Sequence, residues 1–192
     1  MTQTSLNNVS IRLLSGGHSF SLTELKATVA ASKGGVEVVG LTSKTTLVPA
    51  EFFDSSHAAV YLNEVGLAPA VGECVVWSKP VGGIVAVMAI NKQCYDALHG
   101  DDVEYTTPLL AECSVEKGSV LHLEGGLLYV RIYDGGMRFA EVVECTNDAD
   151  VLYYLSKTDE VYNIYNTLAR AYGDTARLQR LCKRLFKELI CE

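Results

Sequence analysis

Hydrophobic and polar positions alternate most clearly between Ser119 and Leu155, and the rest of the chain is organised around that stretch. Three runs of β-forming residues, 120–123, 127–133 and 137–145, are separated by Glu124-Gly125-Gly126 and Asp134-Gly135-Gly136. Paired glycines supply the positive φ that tight hairpin turns need, and alternation such as Tyr129, Arg131, Tyr133 suits a sheet with unlike faces. Thr146-Asn147-Asp148-Ala149-Asp150 then offers a capping side chain, and carboxylates for the positive end of a helix. The predicted unit is βββα.

Upstream, residues 9–14 read as a strand, followed by Ser15-Gly16-Gly17 and a second β-type run at 18–22. Residues 27–32 and 36–41 flank Lys33-Gly34-Gly35, and 45–48 extend the pattern to Pro49. Ser55 or Ser56 is placed to cap a short helix through Leu62, with Gly66 ending it. Residues 74–77 and 84–90 around Lys79-Pro80-Val81-Gly82-Gly83 read as a hairpin or a buried strand pair, their near-continuous valines suiting strands covered on both faces. Asn91 can cap a helix over 92–98 that ends at Gly100. Around Tyr105 the pattern is β-like, but Pro108 forbids a central ladder position there.

Beyond Cys145 the reading is helical throughout, with no further strand. A first helix covers 149–156. Val161, Ile164, Tyr165, Leu168, Ala169 and Tyr172 share one face of a second, which Gly173 stops. Asp174 or Thr175 caps a third over 175–190, with Leu178, Leu181, Leu185 and Leu189 on one side and Arg177, Arg180, Arg184 and Lys187 beside them. The two halves then match: strand, Gly-Gly, strand, Gly-Gly, strand, helix, with glycines at 16/17 and 34/35 in one and 125/126 and 135/136 in the other. That predicts an α/β protein of two related βββα lobes, 9–113 and 114–192, with mixed sheets and a helical C-terminus.

Composition narrows the partners. At 192 residues, 48% apolar and 20% charged, the chain has enough material for a real core. Its longest apolar run, 82–90, is about half of what spans a bilayer, and its first residues lack a signal-peptide pattern, so a cytoplasmic protein without membrane contact is expected. Residues 170–192 carry six bases against three acids, +3; the other ten bases face twenty acids, −10. An acidic body argues against nucleic-acid affinity, while the basic stretch of Arg177, Arg180, Arg184 and Lys187 is a candidate contact for a protein partner or a second copy. Six cysteines without any CxxC spacing fit no zinc site and read as small hydrophobes.

The segments TTLVPAEFFDSSHAAVYLNEVG, FAEVVECTNDADVLYYL and VSIRLLSGGHSFSL resemble an uncharacterised bacterial family, catalogued as a domain of unknown function and similar to actin-like ATPases. Leu47-Val48-Pro49 followed by Phe52-Phe53, and Asp150 followed by Tyr153-Tyr154, carry the likeness. It implies an actin-like ATPase fold of two ribonuclease-H-like lobes. It also implies that ATP and magnesium, if bound at all, would meet the hairpin turns Ser15-Gly16-Gly17 and Glu124-Gly125-Gly126. The first turn offers no carboxylate, and Leu127 and Leu128 follow the second where a hydroxyl is wanted for metal and water. Residues 9–14 contain no acid for a two-metal nuclease, and no GxSxG elbow is present. No catalytic or metal-ligating residue is therefore assigned. The expectation is a non-catalytic actin-like scaffold or interaction protein with a degenerate nucleotide cleft and no cofactor. A nucleotide-dependent ATPase or sugar-kinase-like enzyme is the alternative.

Overall fold

The structure, a computed structural model, describes residues 9–14, 27, 35–98 and 103–192. The Ser15-Gly16-Gly17 turn, the run at 18–22, Gly34 and Gly100 lie outside the described residues. So does the predicted strand at 27–32 except for Ala27, which is helical. The chain divides into two compact units, Met1–Leu110 and Ala111–Glu192.

In the first unit the described elements are β1 (Val9–Leu14), β2 (Val36–Leu41), β3 (Thr45–Pro49), α1 (Ala58–Glu64), β4 (Glu73–Trp77), β5 (Ile84–Asn91), α2 (Lys92–Leu98) and β6 (Val103–Thr106). They form two sheets, β1-β2-β6 and β3-β5-β4. The first is parallel throughout, with Val9 opposite Val36 and Val36 opposite Val103. With parallel partners on both edges, β2 has none left for the predicted hairpin with 27–32, while 18–22, the predicted hairpin partner of β1, lies outside the described residues. The predicted hairpin of β4 and β5 is present and antiparallel.

Strand β5 explains its own unbroken apolar run. Met88 and Ile90 point into a core with Ile11, Leu13, Val38 and Leu98, while Val85, Val87 and Ala89 enter a second core with Val48, Ala58 and Leu62. A central strand covered on both faces has no polar face to show. Ahead of α1 the capping side chain is Asp54, not a serine: its carboxylate accepts from Ser56 N at 2.9 Å and starts a 3-10 turn over Ser55–His57 that leads into the helix, which has no side-chain cap of its own. Asn91 caps α2 as predicted, accepting from Gln93 N at 2.8 Å.

In the second unit β7 (Lys117–Glu124), β8 (Leu127–Asp134) and β9 (Met137–Glu144) form the predicted antiparallel meander. The helix that follows, α3 (Asp148–Tyr162), has the full capping box. Asn147 accepts from Asp150 N, and the Asp150 carboxylate accepts from Asn147 N. It runs six residues past the predicted end and stops where Asn163 adopts the left-handed conformation, φ 51°.

From there the helical reading fails. The segment expected as a second helix is a 3-10 turn, Ile164–Asn166, and then β10 (Leu168–Gly173); α4 (Thr175–Cys182) is short and leads to β11 (Glu188–Cys191). The C-terminus is therefore not a helix over 175–190, and two strands follow Cys145. The sheet order is β11-β10-β7-β8-β9, with β7, β10 and β11 mutually parallel. Ala169 and Ala171 are buried in the core with Leu121, Leu155 and Leu178, so it is their period of two that matters. Both units have a core of three parallel strands, β1-β2-β6 in one and β7-β10-β11 in the other, while the expected meander of the first half falls largely outside the described residues.

Two glycines let β7 and β10 lie side by side. A Cβ on Gly118 would sit 2.4 Å from Leu168 O, and one on Gly173, φ 76°, would sit 2.3 Å from Leu123 O. Gly126 has the same φ, but a Cβ there meets nothing closer than 3.8 Å. Gly173→Ala is expected to lower unfolding free energy by about 2–4 kcal/mol, against ~1 kcal/mol for Gly126→Ala, which carries backbone strain without the clash. Urea denaturation of the two variants measures the difference.

Candidate functional site

In sheets with parallel strands, ligands meet the protein beyond the carboxyl ends of those strands. In the second unit that place is the end of β7 and β10, and the chain brings four carboxylates there. Glu124 closes β7, followed by the turn at Gly125 and Gly126, φ 60° and 76°. Its Oε2 lies 2.8 Å from His122 Nε2, and the His122 ring stands edge-on to Tyr129, centroids 5.8 Å apart. Asp174 follows β10; its N–H donates to Leu123 O at 2.7 Å, and its carboxylate caps α4 by accepting from Arg177 N at 3.0 Å. Cys145 N donates to Gly126 O at 2.7 Å, which holds the start of α3 against the turn.

The acids of α3 are already engaged. Asp150 Oδ2 accepts from both the N–H and the hydroxyl of Thr146, 2.8 Å each, and the hydroxyl above all holds its pKa below the usual aspartate value. Asp148 accepts from Arg177 Nε at 2.7 Å and faces Arg180 Nη2 at 2.9 Å. Arg177 first, then Arg180, keeps the Asp148 carboxyl below its ordinary value. Among the described residues no group of three His, Cys, Asp or Glu side chains is placed to hold a metal ion.

Of the residues singled out in sequence, Ser15, Gly16 and Gly17 fall outside the described ones. Glu124, Gly125 and Gly126 form the expected turn at the strand ends, but the carboxylate faces His122 and the next two side chains, Leu127 and Leu128, are buried. Arg177 and Arg180 are tied to Asp148, whereas Arg184 and Lys187 are exposed on the segment between α4 and β11. The turn and the arginines are linked through Leu123 and Asp174, a connection that the expected helix over 161–172 does not provide. All six cysteines are free thiols, and burial pushes Cys145 and Cys182 up to about 11.

The feature that sequence reading missed lies in the first unit. A groove of about 450 Å³ opens between β4 and β6, lined chiefly by Phe53, Val75, Trp77, Tyr95, Val103 and Tyr105. The Phe53 and Trp77 rings lie 5.9 Å apart, and Tyr95 and Tyr105 stack at 6.3 Å. Burial raises the Tyr105 phenol well above its ordinary value. Lys79 and Glu104 pair across the rim. The lining comes from five separated stretches with no common spacing. Its one sequence signal is the chain's single tryptophan, standing beside the Lys79-Pro80 turn.

No family model and no curated protein matches the chain. Among solved structures it is similar to a Bacteroides thetaiotaomicron protein of unknown function with an actin-like ATPase fold, TM-score 0.73 at 14% identity, covering 96% of this chain and 90% of that one. It is also similar to the cytoplasmic domain of EpsL, an inner membrane component of the type II secretion system of Vibrio cholerae, TM-score 0.50 at 19% identity, covering 95% and 84%. The chain has the actin-like ATPase fold. No helix among the described residues is long and apolar enough to cross a membrane.

The Asp148 pairs give a pH signature. A carboxylate whose folded pKa is lowered stabilises the fold fully above its unfolded value, and loses that contribution as pH falls through the folded one. Asp148→Asn is therefore expected to lower the melting temperature at neutral pH, with the gap from the parent protein closing below the ordinary aspartate range. Scanning calorimetry from neutral to strongly acidic buffer reads this; a gap independent of pH would mean that the ion pairs contribute nothing.

Proposed function

We propose that this chain is a non-catalytic actin-like scaffold, an interaction protein of the cytoplasm whose nucleotide cleft is degenerate. The observation that carries the reading is the state of the strand-end carboxylates in the second unit. Glu124, Asp148, Asp150 and Asp174 each serve a neighbour in the same unit: a histidine, an arginine pair, a threonine with a helix start, and a second helix start. A magnesium ion at phosphates needs carboxylate or hydroxyl oxygens left over for it and its waters. Here an incoming cation would compete with a cap or an ion pair at each of these carboxylates.

Membership of EpsL in a secretion assembly adds support, since it is an instance of this fold within a larger complex. The partner on this reading is another protein or a second copy of the chain, with Arg184 and Lys187 among the exposed basic groups that could meet one. No cofactor is part of the reading.

Mg-ATP decides between this and the enzyme alternative. A ligand at about 100 times its Kd stabilises the folded state by ~2.7 kcal/mol, so binding cannot hide in a thermal shift. The expected result is no shift and no saturable heat at millimolar nucleotide. A magnesium-dependent Kd in the micromolar range overturns the scaffold reading in favour of an ATPase or kinase-like enzyme.

A further inference from the structure

The groove of the first unit rests on two sheet edges, and this distinguishes it from a simple apolar hollow. Strand β4 is the outer strand of β3-β5-β4, and β6 the outer strand of β1-β2-β6. The two touch through a single parallel bridge, Ser78 with Tyr105. Ser78 N donates to Ala86 O on β5 at 2.9 Å. In a strand successive backbone groups alternate in direction, so Val75 and Trp77 turn their amides away from β5, to the side where β6 lies. Above the bridge the groove thus offers backbone polar groups at one wall and aromatic side chains around them.

We infer that this groove takes an extended segment of a partner protein, paired to the edge of β4 and carrying large apolar side chains at alternate positions. The inference deepens the scaffold reading and rests on it. Backbone donors set two residues apart match an added strand, whose side chains fall alternately into the groove and out of it. Trp77, 40% exposed, leaves the apolar lining open to solvent at the mouth. Aromatic walls of this kind are where interface energy concentrates, because a rigid ring is desolvated at little entropic cost.

Charge at the rim specifies the flank of the segment. Lys79, at 72% exposure, is the more exposed member of the pair with Glu104, at 54%. Ion pairs this exposed contribute little, so a carboxylate on the incoming segment can replace Glu104 as the partner of Lys79 without leaving a buried charge. The ligand class is an extended apolar peptide with an acidic residue at one end. A free aromatic molecule would fill the hollow but leave the β4 amides unpaired.

Trp77 is the chain's only tryptophan, so its fluorescence reports the groove directly. The full protein is panned against a random-peptide library displayed on phage, and the enriched peptides are synthesised and titrated. They should share alternate large apolar residues and an acidic flank, shift Trp77 emission to the blue, and bind with Kd in the micromolar range. Val103→Glu, which places a charge in the groove, should weaken them at least about tenfold, ~1.4 kcal/mol. Lys79→Glu on the rim should weaken them in a salt-dependent way. Methylating the peptide amides that face β4 should abolish binding, while indole should compete only at far higher concentration. The inference falls if nothing is enriched over a Val103→Glu column, if enriched peptides leave Trp77 emission unchanged, or if methylated peptides or indole bind equally well. Both variants must keep the parent melting temperature; if Val103→Glu does not, Lys79→Glu alone carries the test, and unchanged binding to it overturns the inference. These outcomes are separable from failure of the scaffold reading, which appears as Mg-ATP binding whatever Trp77 reports.

Discussion

The close passage of β7 and β10 is the constraint on which the second unit depends. Two backbones meet at Gly118 and Gly173 with no room for a Cβ on either. That passage turns a three-stranded meander into a five-stranded mixed sheet and gives the core its floor of Ala169 and Ala171. It also places Asp174 against Leu123, which fixes where α4 begins and so which arginines face Asp148. Sheet geometry and strand-end electrostatics have one origin here.

Much of this was legible in the sequence where the signals are local. The Glu124-Gly125-Gly126 and Asp134-Gly135-Gly136 turns, the cap at Asn147 and the double-sided strand β5 all follow from residues within a few positions of one another. The errors lie where tertiary contacts override local preference. Leucine, alanine and arginine favour helix, and Ile164, Leu168 and Tyr172 happen to repeat at four. Yet Leu168–Gly173 is a strand, because only small alternate residues pack beside β7. Gly173, expected to stop a helix, instead admits a neighbouring carbonyl. In the last stretch Leu178 is fully buried, whereas Leu189 belongs to β11 and Phe186, absent from the predicted stripe, enters the core. At the candidate site the sequence indicated the turn and the missing hydroxyls. It indicated the cap at Asp174, but not the pairs of Asp148 with Arg177 and Arg180 or the bond from Asp174 N–H to Leu123 O, which depend on β10 being a strand.

An actin-like frame supports two kinds of surface here, and they differ in chemistry. The strand ends of the second unit are rich in charge, but the charge is spent on holding helix starts in place. The groove of the first unit is poor in charge and rich in aromatic surface. A site built for phosphate wants uncommitted donors and acceptors, and a site built for a polypeptide wants dry area beside an unfinished hydrogen-bond ladder.

The central position of β7 has a kinetic consequence. On one side it pairs with β8 across a turn of two residues; on the other it pairs with β10, some fifty residues downstream in the register Ala169 with Ser119. Closing the short loop costs little entropy, and the long one gains contacts only after β7 has a defined edge. Contact order therefore favours the meander as the template, with β10 and β11 docking on it later. Until they do, one edge of β7 stands open with its apolar residues uncovered, which makes the interval before docking the period when this chain is most exposed to aggregation.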